Sequence, residues 1–255
     1  MPINQSHSYK PESENNKKRG FLYLIGRIIR FFVQTFMLAV LLLFVVLLIF
    51  RWVPIPTSAF IYQQNALAKE SPKTYLKASY EWQDWDGIPM HMALAVVAAE
   101  DQRFPHHWGI DMVELKKAFA QRTKKKRPRG ASTITQQTAK NLFLWNGRSY
   151  VRKLIEAAIS LAIEVTWPKQ RIIEVYLNIA QFSDATYGIK AASREFFNKT
   201  PKQLSIEEAA ILAAVLPTPA ASNIKNPSPQ LRKRQRWIMK QMKQLGGNAY
   251  LRRLK

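Results

Sequence analysis

Residues 31–50 form the apolar run that most restricts how this chain can fold. The run, FFVQTFMLAVLLLFVVLLIF, has twenty residues and contains no charge, glycine or proline. A helix of about 20 apolar residues can cross the ~30 Å hydrocarbon layer of a bilayer. A buried core helix, a cleaved signal peptide and a retained anchor are the three interpretations. We favour the anchor, because signal h-regions span about 7–15 residues and Thr57-Ser58-Ala59, followed by Phe60, is a poor cleavage site.

The flanks of this run predict its orientation. Residues 1–30 carry six basic side chains, whereas residues 51–70 carry two, Arg51 and Lys69. The positive-inside rule therefore places the N-terminus in the cytoplasm. We divide the chain into a basic cytoplasmic tail (1–30), a transmembrane anchor (31–50) and an extracytoplasmic domain (51–255), which is periplasmic if the cell is bacterial.

The composition excludes several classes of site. The chain has no cysteine, so disulfides, zinc–thiolate sites and thiol nucleophiles are impossible. Its four histidines leave little room for a metal cage. The formal net charge of +22 at pH 7 favours anionic partners. Anionic lipid headgroups are the simplest such partner, and no nucleic acid is expected outside the cytoplasm.

Helical patterns dominate after residue 88, and no strand alternation or hairpin signal recurs. This predicts a mostly α domain. Ser132 is the expected N-cap of a helix that runs to about Leu144, and another helix covers roughly 149–166. Ser205 with Glu208 forms a capping box. Ser228 and Pro229 begin a final helix that Gly246 ends.

The first polar interruption of these apolar helices is Glu100-Asp101. It follows the apolar run 93–99 and precedes a loop that is rich in aromatic residues. A carboxylate at the end of a buried helix is a good position for a proton acceptor with a raised pKa. The alternative is a helix-terminal acid paired with Arg103 or a histidine, and these residues alone do not decide between the two.

A second polar group lies in residues 130–141, GASTITQQTAKN. Ser132, Gln136 and Lys140 are spaced four apart, so a helix would place hydroxyl, amide and ammonium groups on one face. Such a face suits a substrate that is rich in hydroxyl and phosphate oxygens. A solvent-exposed face behind a capped N-terminus is the alternative.

A third group has the same spacing, with Arg148, Arg152 and Glu156 four residues apart. The planar fork of arginine matches phosphate oxygens in pairs, which favours a phosphate clamp. The alternative is a ladder of i,i+4 ion pairs on an exposed face.

Taken together, the three groups resemble glycosyltransferase family 51, the peptidoglycan glycosyltransferases that polymerise lipid II. Further family-like words follow, and the resemblance covers roughly residues 80–230. The residues that match the first motif are Glu100, Asp101, Phe104, His107 and Gly109; the second motif matches from Gly130 to Asn141, and the third matches Arg152, Lys153 and Glu156.

The chain departs from the family pattern at three positions. Ala131, Ser183 and Ala185 stand where glycine is common. A side chain restricts backbone conformations with positive φ, so these changes could limit flexibility near the site.

The resemblance implies a mostly α, lysozyme-like glycosyltransferase domain with a smaller membrane-facing lobe. The implied reaction forms β-1,4 bonds with inversion and releases undecaprenyl pyrophosphate during cell-wall biogenesis. Lipid II, the growing glycan strand and the membrane are the implied partners, together with cell-wall synthesis or division proteins. The implied location is the bacterial inner membrane.

The resemblance also implies roles for residues. Glu100 and Glu156 are the expected catalytic residues, with Glu100 as the base, while Glu156 could orient cations, bind metal or assist the leaving group. A divalent cation, Mg²⁺ or Mn²⁺, is the expected cofactor, without assigned ligands. The expected substrate-binding residues are Asp101, Phe104, Ser132, Thr133, Gln136, Gln137, Lys140, Asn141, Arg148, Arg152 and Lys153.

Three other functions fit the sequence less well. No transpeptidase activity is expected, because the S-x-x-K of Ser222 to Lys225 has no Lys-Thr-Gly after it. A lytic transglycosylase would explain Glu100 but not Lys140 and the two arginines. A catalytically silent, membrane-tethered scaffold could retain the fold and even the motifs.

Overall fold

The computed structural model describes residues 12–123, 132–147 and 149–254. Gly130 and Ala131 of the second motif, and Arg148, lie outside the described residues. The chain divides into two compact units, Met1–Val46 and Leu47–Lys255.

The first helix, α1, extends from Glu12 to Phe50 and contains the predicted anchor. Its part from Phe21 to Phe50 is apolar and long enough to cross a membrane, and only 6% of its most apolar window is buried. This exposure contradicts the buried core helix, because a core helix would be covered by other elements. The helix is compatible with a single-pass membrane anchor.

The second unit is built mainly of helices, which confirms the predicted mostly α class. Its α-helices are α2 (Ala59–Glu70), α3 (Met90–Glu100), α4 (Met112–Thr123), α5 (Ile134–Phe143), α6 (Tyr150–Thr166), α7 (Lys169–Ile179), α8 (Ile189–Phe197), α9 (Ile206–Val215) and α10 (Pro229–Gln244). Short 3₁₀ turns lie at Trp85–Gly87, Phe104–His106, Pro201–Gln203 and Gly247–Leu254.

Helices α3, α7 and α9 contribute the largest continuous stretches of the core. α3 is buried from Met92 to Ala98, and α9 is buried from Ala209 to Val215. Both helices are rich in alanine, which lets their backbones approach closely. α10 packs against α9 and α3, while α5 packs against α6 and α7. This arrangement places the C-terminal end of α3 close to both α5 and α10.

The sequence analysis missed one small sheet. Strand β1 (Ser79–Tyr80) pairs in parallel with β2 (Thr186–Tyr187). Strands of two residues are too short to show alternation. Two of the glycine replacements, Ser183 and Ala185, lie just before β2, and neither has a positive φ. These two replacements therefore cause no backbone strain of the kind that glycine relieves.

Most of the predicted helix caps are confirmed, and one is wrong. Ser205 caps α9 as predicted, and Ser228 caps α10 at the predicted helix start. Ser149, at the predicted start of α6, also caps its helix. The cap of α5, however, is Thr133 rather than Ser132. Thr133 Oγ1 accepts a bond from Gln136 N at 3.1 Å, and Gln136 Oε1 accepts one from Thr133 N at 3.2 Å. Such a reciprocal capping box needs Gln or Glu three residues after the cap.

Gly188, between β2 and α8, is a position where only glycine fits. Its φ is +83°, and a Cβ there would lie 2.5 Å from the carbonyl oxygen of Asn178. Gly188 N also donates to Ala180 O at 2.9 Å, so the chain is held close to the end of α7.

We expect Gly188→Ala to lower the free energy of unfolding by roughly 2–4 kcal/mol, because positive-φ strain and a backbone collision add. Gly247→Ala is the matched control, since Gly247 has a φ of +64° but open space around its Cβ position. Strain alone should cost it about 1 kcal/mol. Urea unfolding in detergent, followed by tryptophan fluorescence, measures both. Equal losses in the two variants would contradict the close approach.

Candidate active site

Glu100 is the last residue of α3, and its carboxylate is partly buried, with 14% of the side chain exposed. Oε2 accepts a bond from Gln137 Nε2 at 3.0 Å, and Oε1 accepts one from Arg234 at 3.1 Å. The alternative pairing with Arg103 or a histidine is wrong for Glu100, since Arg103 Nε donates to Asp111 at 3.1 Å, but it is confirmed for Asp101, which pairs with His107. α5 and α10 therefore hold the Glu100 carboxylate between them.

Burial raises the pKa of Glu100 above its usual value. The bonds from Gln137 and Arg234 oppose this rise, because they stabilise the charged form, while the nearby Asp101 adds to it. The shift has the direction that the sequence predicts for a carboxylate at the end of an apolar helix. Such a group accepts a proton more readily than an exposed glutamate does.

Asp101 is buried, and its carboxylate holds the end of α3 against the start of α5. Its two oxygens each lie 3.0 Å from His107 Nε2, and Oδ2 also accepts a bond from Ile134 N at 3.0 Å. The carboxylate thus joins the end of α3 to the first residue of α5. Phe104 is fully buried and packs its ring edge-on to His107, 6.1 Å between ring centroids.

The start of α5 is also tied to the loop after α3. Thr133 Oγ1 donates to Gly109 O at 2.5 Å. Thr133 and Gln136 are both buried, and their side chains complete the capping box. The predicted face of Ser132, Gln136 and Lys140 is therefore divided, because Gln136 turns inward to the cap. Gln137, the next residue, is the amide that reaches Glu100.

Asp101, His107 and Asp111 form a buried group whose ligand atoms lie within 4.8 Å of one another, so it could hold a metal ion. The oxygens of both carboxylates already accept bonds from protein donors. Asp111 Oδ1 accepts bonds from two backbone N–H groups at the start of α4, and its Oδ2 accepts one from Arg103. These contacts also make the group a hydrogen-bonded clamp between the loop after α3 and the starts of α4 and α5.

Glu156 lies at the centre of a second charged group, on α6. It is buried and accepts bonds from Arg152 at 2.6 Å and from Lys153 Nζ at 2.5 Å. Arg152 Nε donates to Gly147 O at 3.0 Å, and Lys153 Nζ donates to Ser132 Oγ at 3.2 Å. The exposed ion-pair ladder is wrong for Arg152 and Glu156, because both side chains are buried.

Lys140 is the cation of α5 nearest to this group. Burial lowers the pKa of Lys140, which Glu156 partly opposes and the neighbouring Arg152 and Lys153 reinforce. Its Nζ lies 5.2 Å from the ring centroid of Phe60. Within the described ranges, no carboxylate lies within ion-pair distance of Lys140. The ammonium is therefore placed among other cations without a direct counter-ion.

One helix links the two groups. Gln137 on α5 contacts Glu100, and Lys140 follows three residues later, which is about 5 Å along the helix. Asn141 is next, and its Oδ1 is buried without a hydrogen-bond partner among the described residues. The site thus combines a proton-accepting carboxylate, a group of cations and a free acceptor.

Two residues of this site were missed by the sequence analysis. Arg234 lies within a basic run, where the sequence does not show which arginine turns inward. Its position between the buried Leu231 and Ile238 was the available signal. Tyr176 was noted only within a family-like word. It donates to Gln137 Oε1 at 3.1 Å and is buried, so its pKa is well above the usual value and it stays a donor.

Comparison with known proteins gives consistent matches. A family model described as Transglycosylase matches residues 68–243. A biosynthetic peptidoglycan transglycosylase of Cronobacter sakazakii is 49% identical over 205 residues, which cover 80% of this chain and 85% of the relative. Proteins of the same name from Klebsiella oxytoca and Escherichia coli are 48% identical over 205 residues and 45% identical over 226 residues. The first alignment covers 80% of this chain and 85% of the relative, and the second covers 86% and 93%.

We expect Gln137→Met to raise the pKa of Glu100 further, because the lost Nε2–H bond stabilises the ionised carboxylate. NMR titration of the protein carrying ¹³C-carboxyl glutamate measures this pKa, and Glu100→Gln assigns the signal. Gln102→Met is the matched control, since Gln102 donates to Ala98 O and Gln241 rather than to Glu100. A Glu100 pKa that stays constant or falls in Gln137→Met would contradict the described contact.

Proposed function

The chain belongs to the transglycosylase family, and we propose that it polymerises lipid II into β-1,4-linked glycan strands and releases undecaprenyl pyrophosphate. It is a peptidoglycan glycosyltransferase with a mostly helical, lysozyme-like domain. One observation supports this specific reaction. Gln137 on α5 contacts Glu100, whose pKa is raised, and Lys140 on the same helix lies near the cations Arg152 and Lys153.

Glu100 is the proposed general base. A sugar hydroxyl is a weak nucleophile at neutral pH, and proton removal during attack contributes typically about 10²–10⁴-fold to the rate. The hydroxyl oxygen attacks the anomeric carbon, its proton passes to the Glu100 carboxylate, and the bond to pyrophosphate breaks with inversion. Each carboxylate oxygen accepts one bond in the structure, so lone pairs remain for the proton.

Lys140 is the proposed principal partner of the departing pyrophosphate. A positive group without a direct counter-ion stabilises negative charge where it develops. Arg148 is proposed to join it. Glu156 is proposed to orient Arg152 and Lys153, because both of its oxygens are bound by them. These two cations would then face the substrate from a fixed position.

The remaining site residues divide into two roles. Asp101, Phe104, Thr133 and Gln136 are buried, and we assign them to positioning the ends of α3 and α5. Ser132, Gln137 and Asn141 are proposed to hold sugar and phosphate oxygens. The unpaired Asn141 Oδ1 suits a substrate hydroxyl or N–H group.

A divalent cation, Mg²⁺ or Mn²⁺, would be held by the buried group of Asp101, His107 and Asp111, whose ligand atoms lie within 4.8 Å of one another. Both oxygens of Glu156 are already bound by Arg152 and Lys153, so Glu156 is not the proposed ligand. Charge stabilisation at the pyrophosphate is assigned to the lysine and arginine side chains.

We propose that α1 anchors the enzyme in the bacterial inner membrane, with the N-terminus cytoplasmic and the catalytic domain periplasmic. The second unit carries exposed large apolar side chains, which in soluble proteins mark interaction surfaces. They include Trp108, Met112, Val113, Leu154 and Val165. These residues support a membrane-facing lobe, where the lipid part of the substrate would enter. Cell-wall synthesis or division proteins are the further proposed partners.

No transpeptidase activity is proposed for this domain. Ser222 Oγ donates to Thr218 O at 2.7 Å, and Lys225 is exposed. A serine nucleophile would need its lysine or another base as the hydrogen-bond acceptor.

We expect Glu100→Gln to abolish polymerisation of labelled lipid II while the protein stays folded and binds substrate, because the amide cannot accept the proton. Glu70→Gln, which removes an exposed carboxylate, is the matched control and should keep wild-type activity. The wild-type rate should fall as pH decreases through the raised pKa of Glu100, since only the ionised form is a base.

Gel separation of muramidase-sensitive products gives the readout. Near-wild-type polymer from Glu100→Gln would refute the base assignment. Anhydro-sugar release from finished peptidoglycan would instead identify a lytic enzyme. Lipid II binding without turnover by the wild type would identify a scaffold.

The orientation of α1 can be tested with introduced thiols, because the chain has no cysteine of its own. In intact spheroplasts, a membrane-impermeant maleimide should label Lys73→Cys but not Lys10→Cys. Lysis should expose Lys10→Cys to the same reagent. Labelling of Lys10→Cys before lysis would contradict a cytoplasmic N-terminus.

A further inference from the structure

The outward face of α10 carries a row of basic side chains that the reaction does not use. Helix positions three and four apart share a face, and α10 contains no acidic residue. The buried Leu231, Ile238 and Met242 lie on the opposite face, against the core. The exposed members of the row, called the α10 basic face, are Arg232, Lys233, Arg236, Lys240 and Lys243.

The charge of the α10 basic face is not neutralised by neighbours. Some exposed cations elsewhere pair with carboxylates, as Lys117 does with Glu114 at 2.7 Å and Lys199 with Glu208 at 2.6 Å. None of the five α10 cations has a carboxylate within ion-pair distance in the part of the chain that the structure describes. The face therefore attracts anions from solution.

α10 also touches the catalytic carboxylate. Arg234, on the side of the helix turned to the core, donates to Glu100, and Gln241 accepts a bond from Gln102 Nε2 at 3.0 Å. α10 is therefore docked along the end of α3. With a helix diameter of about 10 Å, the basic face lies within the reach of a polymer that extends from Glu100.

A lipid bilayer is a poor match for this face. Helices that lie on membranes combine cations with exposed Trp, Phe or Leu side chains. α10 has no exposed large apolar residue among those described, whereas α4 and α6 carry Met112, Val113 and Leu154. Charge without apolar anchors favours an anionic polymer in solvent.

We propose that the α10 basic face binds the carboxylates of the short peptides carried by the glycan strand at Glu100. The inference rests on the proposed function, which supplies an acidic, peptide-bearing glycan at this position. Carboxylates pair with the arginine fork through two parallel hydrogen bonds, and lysines add point charges. The α10 basic face would thus keep the glycan strand bound between successive additions of lipid II.

The test compares two triple variants of equal charge change. Arg232→Gln/Arg236→Gln/Lys240→Gln removes three charges from the α10 basic face, and Lys69→Gln/Lys73→Gln/Lys77→Gln removes three exposed charges elsewhere. Each is assayed with lipid II and with lipid II whose peptide carboxylates are amidated. Equal thermal unfolding midpoints establish that both variants fold.

We expect the α10 variant to raise KM for ordinary lipid II roughly three- to tenfold, the effect of losing three exposed ion pairs. Its KM for amidated lipid II should equal that of the wild type, and the control variant should match the wild type on both substrates. An unchanged KM, or the same rise on both substrates, would overturn the proposal. An equal rise on both substrates that occurs in phosphatidylglycerol vesicles but not in uncharged phosphatidylcholine vesicles would assign the face to lipid headgroups instead.

Binding of soluble labelled glycan fragments separates this inference from the proposed function. Fluorescence anisotropy should show weaker binding by the α10 variant than by the wild type and the control. This loss would support peptide binding by the α10 basic face even if the wild type made no polymer. The absence of polymer would refute only the proposed reaction. Equal binding by all three proteins would overturn the inference alone.

Discussion

The buried carboxylate of Asp101 is the interaction on which the rest of the site depends. It receives bonds from His107 and from the first backbone N–H of α5, so it joins the end of one helix to the start of another. Glu100 is the residue immediately before it, and Gln137 lies one turn into α5. The contact between these two side chains therefore follows from the position of Asp101. A buried carboxylate costs free energy unless it is hydrogen-bonded, and both oxygens of Asp101 have partners.

Burial changes the pKa values of the two charged groups in opposite directions. It raises the pKa of Glu100 and lowers the pKa of Lys140, so each group is shifted toward its neutral form. For a base that must take a proton, this shift increases proton affinity. For a cation that must meet a phosphate, it weakens hydration and leaves the charge available to an anion. Burial thus favours the proposed roles of Glu100 as proton acceptor and of Lys140 as anion partner, and Gln137 on α5 links the helix of Lys140 to Glu100.

Features that depend on neighbouring residues could be predicted from the sequence, whereas contacts between distant segments could not. The cap at Ser205 and the helix starts at Ser149 and Ser228 follow from neighbours within three residues, and they were predicted. The Ser132 cap failed because the reciprocal bond to Gln136 belongs to Thr133. Contacts that join distant segments, such as Arg234 with Glu100, leave no local pattern. The burial of Glu156 was likewise not predictable, because charges spaced i,i+4 occur on both exposed and buried faces of helices.

The surface of the second unit divides into regions of different chemistry, and this division matches an amphiphilic substrate. Exposed apolar side chains lie on α4 and α6, while uncompensated cations lie on α10. α5 contacts α6 on one side of the site, and Glu100 joins it to α10 on the other. A substrate with a lipid tail, a pyrophosphate and an acidic peptide presents the same sequence of chemistries. The proposed reaction and the proposed contact with the α10 basic face therefore require the same direction of substrate binding across α5.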